Sequence, residues 1–381
     1  MRHLILTGGN KVKKFVVLIE DDFEVMGNGL GNVAHLQYLP ALSLINIANK
    51  YNVKITFMVD VAHQLVLRAN MQHPEIRVQA KLWDETVLLL KEYGHDIQLH
   101  LHPQWLNAKY ENGHFYLSDN WNLGRCTPID QHRLITESVE YLNNLLVNKF
   151  PEYKVCAYKA GSWGMQPSSN LQAEFEKVGI NIMMGVRQGL EIPSQGVDYT
   201  CLEEAYLPYY PDSDNLQILS DKVRNLAVIP LQSYDPDLIT FSRYMLNQVI
   251  TKYRYQNNLR YYSPRPIPDE VKNLNPLKGK SLFKLGLRPY STHLKIGNQS
   301  FSYLKKSFDT VIRRLEEIDA DRIPILIESH TKQYRHHYHD IEKFLAYVSE
   351  KYESSVEFSD LSGFSQEIKE NPELVRYRSE N

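Results

Sequence analysis

Between residues 15 and 189 the chain alternates short apolar runs with longer amphipathic stretches, and this alternation limits its possible folds more than any other feature. Runs at 15–20, 54–59, 97–102, 157–160 and 180–186 read as strands, while 39–51, 83–93, 132–149 and 169–178 read as helices. Repeated βα units predict a parallel sheet, either curled into a barrel or doubly wound. From 188 to 298 the texture shifts to prolines, tyrosines and mixed charge, as in LPYYPDSD and YYSPRPIPDE, which reads as a loop-rich insertion or cover. Regular pattern then returns. Leu304, Phe308, Val311, Ile312 and Leu315 share one helical face, 323–327 reads as a strand, and 341–352 reads as a helix. The residues from Glu367 onward read as frayed. No repeat of fixed period is present, which removes solenoids and propellers; the expectation is one α/β domain spanning 1–381 with the insertion inside it.

With 381 residues, 43% of them apolar and 23% charged, the chain can bury a large core. A formal net charge of -2 argues against nucleic acid or an anionic membrane surface as partner. No apolar run approaches the roughly 18 residues of a membrane span. Residues 1–10 lack the apolar core of a signal peptide, so a cytoplasmic location is expected. Cys126, Cys156 and Cys201 are odd in number and form no CxxC, which predicts reduced thiols rather than disulfides or a thiolate metal site. The oligomeric state is left open.

Several apolar runs end in side chains suited to metal chemistry. FVVLIEDD ends in Asp21 and Asp22, and GHDIQLHLHP ends in His100 and His102 before Pro103. Strand side chains alternate faces, so His100 and His102 point the same way while Asp21 and Asp22 point opposite ways. Asp22, His100 and His102 would then meet one divalent ion, with Asp21 beside it as a base. The acidic pair fits solvated turn residues equally well. His95, at the strand entrance, reads as structural. YKAGSWGMQP places Lys159 on a strand, either as a surface lysine or as a partner for a carboxylate. ILIESHTK delivers Glu328 and His330 to a strand end, where His330 is either a proton donor or an ordinary loop histidine. The run Arg335, His336, His337 and His339 reads as a solvated helix start. GNGLG at 27–31 has its third glycine misplaced for a dinucleotide fingerprint.

At these motifs the chain resembles the polysaccharide deacetylase family, the NodB-homology or carbohydrate esterase family 4 proteins. IEDDF looks like that family's TFDDG, GHDIQLHLHP like GHEIxxHTxxHP, YKAGSW like RxPxG, and LIESHT like its late histidine motif. DYTCLEEAYLPYYPDSDN is similar to a loop of the divergent surface-polysaccharide biosynthesis branch. The resemblance implies a distorted (β/α) barrel of about seven strands and a divalent ion of the Zn2+ type. It also implies Asp21 as base, Asp22, His100 and His102 as metal ligands, His330 as general acid, and Lys159 in place of an arginine that steadies the base. Phe23 departs from the family glycine, and HxH is shorter than HxxxH. Gln104 or a water would serve as third ligand if His102 did not. Trp105, Trp163, Tyr206 and Tyr209 are candidates to stack on a sugar. The expected activity is removal of an N-acyl group, most simply acetyl, from an amino sugar. A non-catalytic carbohydrate-binding barrel and an amidohydrolase-type metal hydrolase are the alternatives.

Overall fold

The computed structural model describes residues 13–254, 266, 268–272, 274, 292–333 and 337–378. Its main sheet holds eight strands: β1 (Lys14–Phe23), β2 (Thr56–Asp60), β3 (Asp96–Leu101), β4 (Ala157–Ala160), β5 (Ile182–Met184), β6 (Ala227–Val228), β7 (Arg322–His330) and β8 (Val356–Ser359). Every pairing between them is parallel, in the spatial order β6-β5-β4-β3-β2-β1-β7. β8 runs beside residues 15–18 of β1, and β2 takes over that flank from residue 20. Helices α1 (Leu39–Lys50), α2 (Val61–Ala69), α3 (Pro74–Glu92), α4 (Pro128–Leu146), α5 (Ser169–Lys177), α6 (Leu238–Arg254), α7 (Phe301–Leu315), α8 (Tyr338–Lys351) and α9 (Leu361–Glu370) complete the frame.

Strand alternation sorts the side chains into two layers. On β1, Phe15, Val17, Ile19 and Phe23 join the large core shared with Leu42, Trp83 and Leu142 of the helices. Val16 and Leu18 join a second cluster with Met58, Ala157, Met184 and Leu326 on the concave face. α9 fills the lower part of that concavity with Leu361, Phe364 and Ile368. Its Ser362 hydroxyl donates to Asp96 Oδ1 at 2.7 Å and accepts from Gln98 Nε2 at 3.0 Å. Asp96, Gln98 and His100 alternate onto this same face of β3. A polar plug therefore lies below, and the ligand-bearing strand ends lie above.

The curl is closed by a side chain. Beyond β6 the chain follows β5, with Leu231 N–H donating to Val186 O, and then presents Gln232 to the far edge. Gln232 Nε2 donates to Pro324 O at 2.9 Å, and Leu326 N–H donates to Gln232 Oε1 at 3.2 Å. Higher on β7, Glu328 exchanges backbone bonds with Leu294 and Ile296. Pro324 is tolerated within β7 because its missing N–H would face the gap rather than β1. The result is the expected distorted (β/α) barrel, open between strands and bridged by an amide.

Some expectations need correction. The proposed insertion contributes β6 and Gln232 to the barrel itself, and it contains α6, whose helical pattern the surrounding prolines and tyrosines obscure. α9 continues to Glu370, where fraying was expected, because its apolar face is needed to fill the concavity. α2 was not foreseen: Asp60 caps it directly at the end of β2, with no glycine or proline to mark the change. Arg335 and His336 lie outside the described residues. His337 sits at the start of α8, its Nδ1 3.1 Å from Asp340 Oδ2.

Candidate metal centre

Three strands deliver the ligand atoms. Glu20 and Asp22 alternate onto the concave face of β1, and Glu24, just past the strand end, continues the same row. His100 and His102 do the same at the end of β3. Glu24, His100 and His102 are buried and offer ligand atoms within 4.8 Å of one another. Glu24 Oε2 lies 3.3 Å from His102 Nε2 and 3.9 Å from His100 Nε2. This cluster is capable of holding a divalent metal ion. A second, overlapping group joins Asp22, Glu24 and His330.

Each imidazole is held by its other nitrogen. His100 Nδ1 is 3.0 Å from the Lys159 carbonyl, and His102 Nδ1 is 3.2 Å from Asp60 Oδ2. Donation of Nδ1–H to these oxygens leaves both Nε2 lone pairs directed into the site, the arrangement metal-ligating histidines require. His100 Nε2 is buried without a hydrogen-bond partner, an atom that a metal ion would satisfy. Burial pushes the His100 pKa down, which favours the neutral ligand form. Burial also opposes charge on His102, but the Glu24 and Asp60 carboxylates outweigh it and raise that pKa. Gly161 lets the β4 turn approach this pair. A side-chain carbon there would sit 2.4 Å from Leu101 O and 2.6 Å from His102 Cδ2.

Beside the cluster Lys159 binds three carboxylates. Its Nζ is 2.6 Å from Glu20 Oε1, 2.9 Å from Asp22 Oδ1 and 3.3 Å from Glu328 Oε2. Burial disfavours a lone ammonium, but these carboxylates outweigh it and hold Lys159 charged. Burial would likewise raise Asp22, yet Lys159, His100 and His330 bring its pKa below the usual carboxylate range. Glu20 goes the other way, raised by burial. His330 Nε2 is 3.2 Å from Asp22 Oδ2, and its Nδ1 is 3.6 Å from Glu328 Oε1. Burial and the nearby Lys295 push the His330 pKa down to about 3. Lys332 Nζ contacts Glu24 Oε1 at 2.5 Å and, after burial is overcome, is the main cause of that carboxyl's depressed pKa.

The structure therefore gathers Asp22, His100, His102, Lys159 and His330, but it separates Asp21 from them. Asp21 alternates onto the helix-facing layer between Ile19 and Phe23, and its neighbours across the sheet are Phe57 and Ser329. Sequence reasoning missed Glu24. The signal was available, because carrying the period-two rule past Phe23 puts Glu20, Asp22 and Glu24 in one row. Among the aromatic candidates only Trp163 lies against the site. Trp105 is buried, packing on His63 at 4.7 Å and Phe115 at 5.3 Å. Tyr209 is fully buried and donates its hydroxyl to Leu216 O, so neither ring face is open for a sugar. Tyr206 is half-buried beneath Arg314, at 5.6 Å. Gln104 is also turned away, donating to Gly27 O. The GNGLG loop serves packing, since a side-chain carbon on Gly27 would lie 2.7 Å from the Trp121 ring. His95 accepts the Ile55 N–H through Nδ1 at 3.1 Å, far below the ligands.

No family model matches the sequence, and no curated protein matches it. Among solved structures the chain is similar to a protein assigned as a polysaccharide deacetylase from Mycobacterium smegmatis. That match has a TM-score of 0.51 and 12% identity, over 98% of this chain and 96% of that one. A second protein so assigned, from Pseudomonas aeruginosa PAO1, gives 0.49 and 12% identity over 94% and 92% of the two chains. Puue allantoinase gives 0.48 and 11% over 94% and 91%. The fold of this chain is that of the NodB-type polysaccharide deacetylases, a curled (β/α) sheet with its polar residues gathered at the carboxyl ends of the strands.

Proposed function

We propose that this protein is a metal-dependent amide hydrolase that removes an N-acyl group, most simply acetyl, from an amino sugar. The observation that carries this reading is the convergence of Glu24, His100 and His102 beside the Asp22–Lys159 pair, at the strand ends of a deacetylase-type barrel. Two imidazoles and a carboxylate are a donor set suited to Zn2+ with an open position. Bound there, the ion supplies Lewis-acid polarisation of the acyl carbonyl and a lowered pKa for the attacking water.

In this reading Asp22 is the base, in place of Asp21. It is ionised, oriented by Lys159, and set one alternation from Glu24. The proton it takes from water passes to His330 Nε2, 3.2 Å away, and on to the departing amine. Burial and the nearby Lys295 disfavour the charged ring, so a proton placed on it is readily given up. Glu328 Oε1 lies 3.6 Å from the ring's other nitrogen. Trp163 is retained as the sugar-stacking residue. The chain is read as a single domain spanning 1–381, with the segment 188–298 inside it. A cytoplasmic, precursor-type saccharide is the inferred substrate, in keeping with cysteines that form no disulfide. Fractionation of cells is the check on location.

The decisive assay is acetate release from N-acetylated sugars by protein loaded with zinc and by protein stripped with chelator. Release that requires metal and is lost in His100→Ala is expected. Release that survives chelation would overturn the metal mechanism, and sugar binding with no release would favour a non-catalytic barrel.

A further inference from the structure

The site opens to solvent around His330. Its side chain is 14% exposed, Lys332 15% and Lys295 21%, whereas Glu20, Asp22, Glu24 and Glu328 lie at 6% or below. The floor is acidic and the rim is basic. Glu24 takes Lys332, and Glu328 is divided among the remaining rim groups. Its Oε1 is shared by Lys295 at 3.0 Å, His293 at 3.3 Å and His330 Nδ1 at 3.6 Å, while Oε2 already meets Lys159.

Next to His293 stands Trp163, with ring centroids 5.5 Å apart, and the Arg187 guanidinium lies 6.0 Å from the Trp163 ring. The turn that carries this indole is strained. Ser162 and Trp163 both hold positive φ, 52° and 67°, where side chains are disfavoured by about 1 kcal/mol or more each. The Tyr199 hydroxyl pins it by donating to Trp163 O at 2.7 Å, and the Asn122–Gly164 bridge holds the following residue. Strain held in place by such contacts fixes a half-buried indole beside an imidazole and a guanidinium. An indole face suits the C–H face of a pyranose. Guanidinium and ammonium groups suit a carboxylate or a phosphate.

We propose that Trp163, Arg187, His293 and Lys295 form a subsite for an anionic group, carboxylate or phosphate, carried by the substrate close to its N-acyl function. The preferred substrates are then acidic amino sugars, and neutral ones are poor. This rests on the amide-hydrolase reading and specifies its substrate class.

The test is calorimetric titration of the metal-loaded full chain with three probes: N-acetylglucosamine, its 1-phosphate, and a disaccharide of N-acetylglucosamine with glucuronic acid. At least one anionic probe is expected to bind about tenfold or more tightly than the neutral sugar at low salt. Added salt should shrink that advantage. Whichever anionic probe gains identifies phosphate or carboxylate as the group recognised. Arg187→Gln and Lys295→Gln, each checked for native circular dichroism, should bring the ratio toward one. Equal affinity for all three probes, or an advantage that survives both substitutions, overturns the proposal. Acetate release is followed in parallel. Equal release from the neutral sugar and the acidic ones refutes the anionic subsite while leaving the hydrolase intact. Absence of release from every probe strikes the hydrolase reading, and the binding ratio still decides the subsite.

Discussion

His102 and Asp60 form a buried pair, with Nδ1 of the imidazole 3.2 Å from Oδ2 of the carboxylate. Asp60 ends β2 and also begins α2, so the position of its carboxylate is fixed by two elements at once. Holding Nδ1 protonated leaves the Nε2 lone pair for an ion held between it and Glu24. Asp60→Ala is therefore expected to weaken zinc affinity by about 10- to 100-fold, the usual range for loss of such an outer partner. Competition against a chromophoric chelator measures it, and unchanged affinity would remove Asp60 from the metal's support.

Metal content and turnover should separate along β1. Glu24→Gln removes a ligand, so zinc is lost together with acetate release. Asp22→Asn keeps the ligand triad but removes the base, so zinc stays near one equivalent while release falls by about 100-fold or more. Asp21→Asn alters the helix-facing layer and should retain both zinc and most activity if folded. Elemental analysis alongside the assay distinguishes the three variants. Loss of turnover confined to Asp21→Asn would return the base to the adjacent-acid position.

Gly161→Ala addresses the same centre through sterics. The added carbon would meet Leu101 O and the His102 ring at distances no real side chain adopts. Since the β4 turn cannot back away from β3 without losing the bond from His100 Nδ1 to Lys159 O, the strain falls on both the Leu101 backbone and the His102 ring, and the ligand end of β3 shifts. Weaker zinc binding with a native circular dichroism spectrum is the expected signature. Full affinity would show that the turn relaxes instead.

Much of this architecture was legible in the sequence because buried parallel strands are near-continuous apolar runs, and those of β1, β3 and β7 end in ionisable residues. His100 and His102 could be paired from spacing alone, since period two puts them on one face. Asp21 and Asp22 misled because adjacency in sequence suggests a shared pocket, while adjacency in a strand forbids it unless the strand has already ended. β1 continues to Phe23, so the row skips Asp21 and runs on to Glu24. The role of Gln232 was not readable, because a side-chain amide that replaces a strand pairing leaves no periodic trace. Trp105 and Tyr209 were chosen by residue type, and residue type does not distinguish an aromatic beneath the barrel rim from one at its mouth.

Closure of the barrel predicts a stability cost at Gln232. Its amide satisfies Pro324 O and Leu326 N–H on the buried edge of β7 away from β1, and the residue itself is buried. Gln232→Ala strands both groups, at about 1–3 kcal/mol apiece if water does not enter. A lower urea midpoint, equivalent to a loss of roughly 2 kcal/mol or more in unfolding free energy, is expected, and Gln232→Glu should fare no better, since a carboxylate cannot donate to Pro324 O. An unchanged midpoint in Gln232→Ala would mean the two edges hold together without the amide.

Two buried histidines that are not among the ligands make the fold acid-sensitive above the carboxylate range. Burial pushes both His63 and His95 down to about 4 from an ordinary value of 6.5. Each therefore binds a proton more readily in the unfolded chain than in the folded one. Their contribution is complete above about pH 6.5 and is lost as pH falls through that value toward 4, amounting to about 3 kcal/mol for each at the acid end. Geometry makes the sign firm for His95, whose Nδ1 accepts the Ile55 N–H and cannot do so once protonated. His95→Asn should lower stability near pH 7 yet flatten its dependence on pH between about 7 and 5. Urea midpoints for the wild type and this variant across that window provide the measurement, and a wild-type midpoint that stays level would show that these imidazoles are already charged in the folded protein.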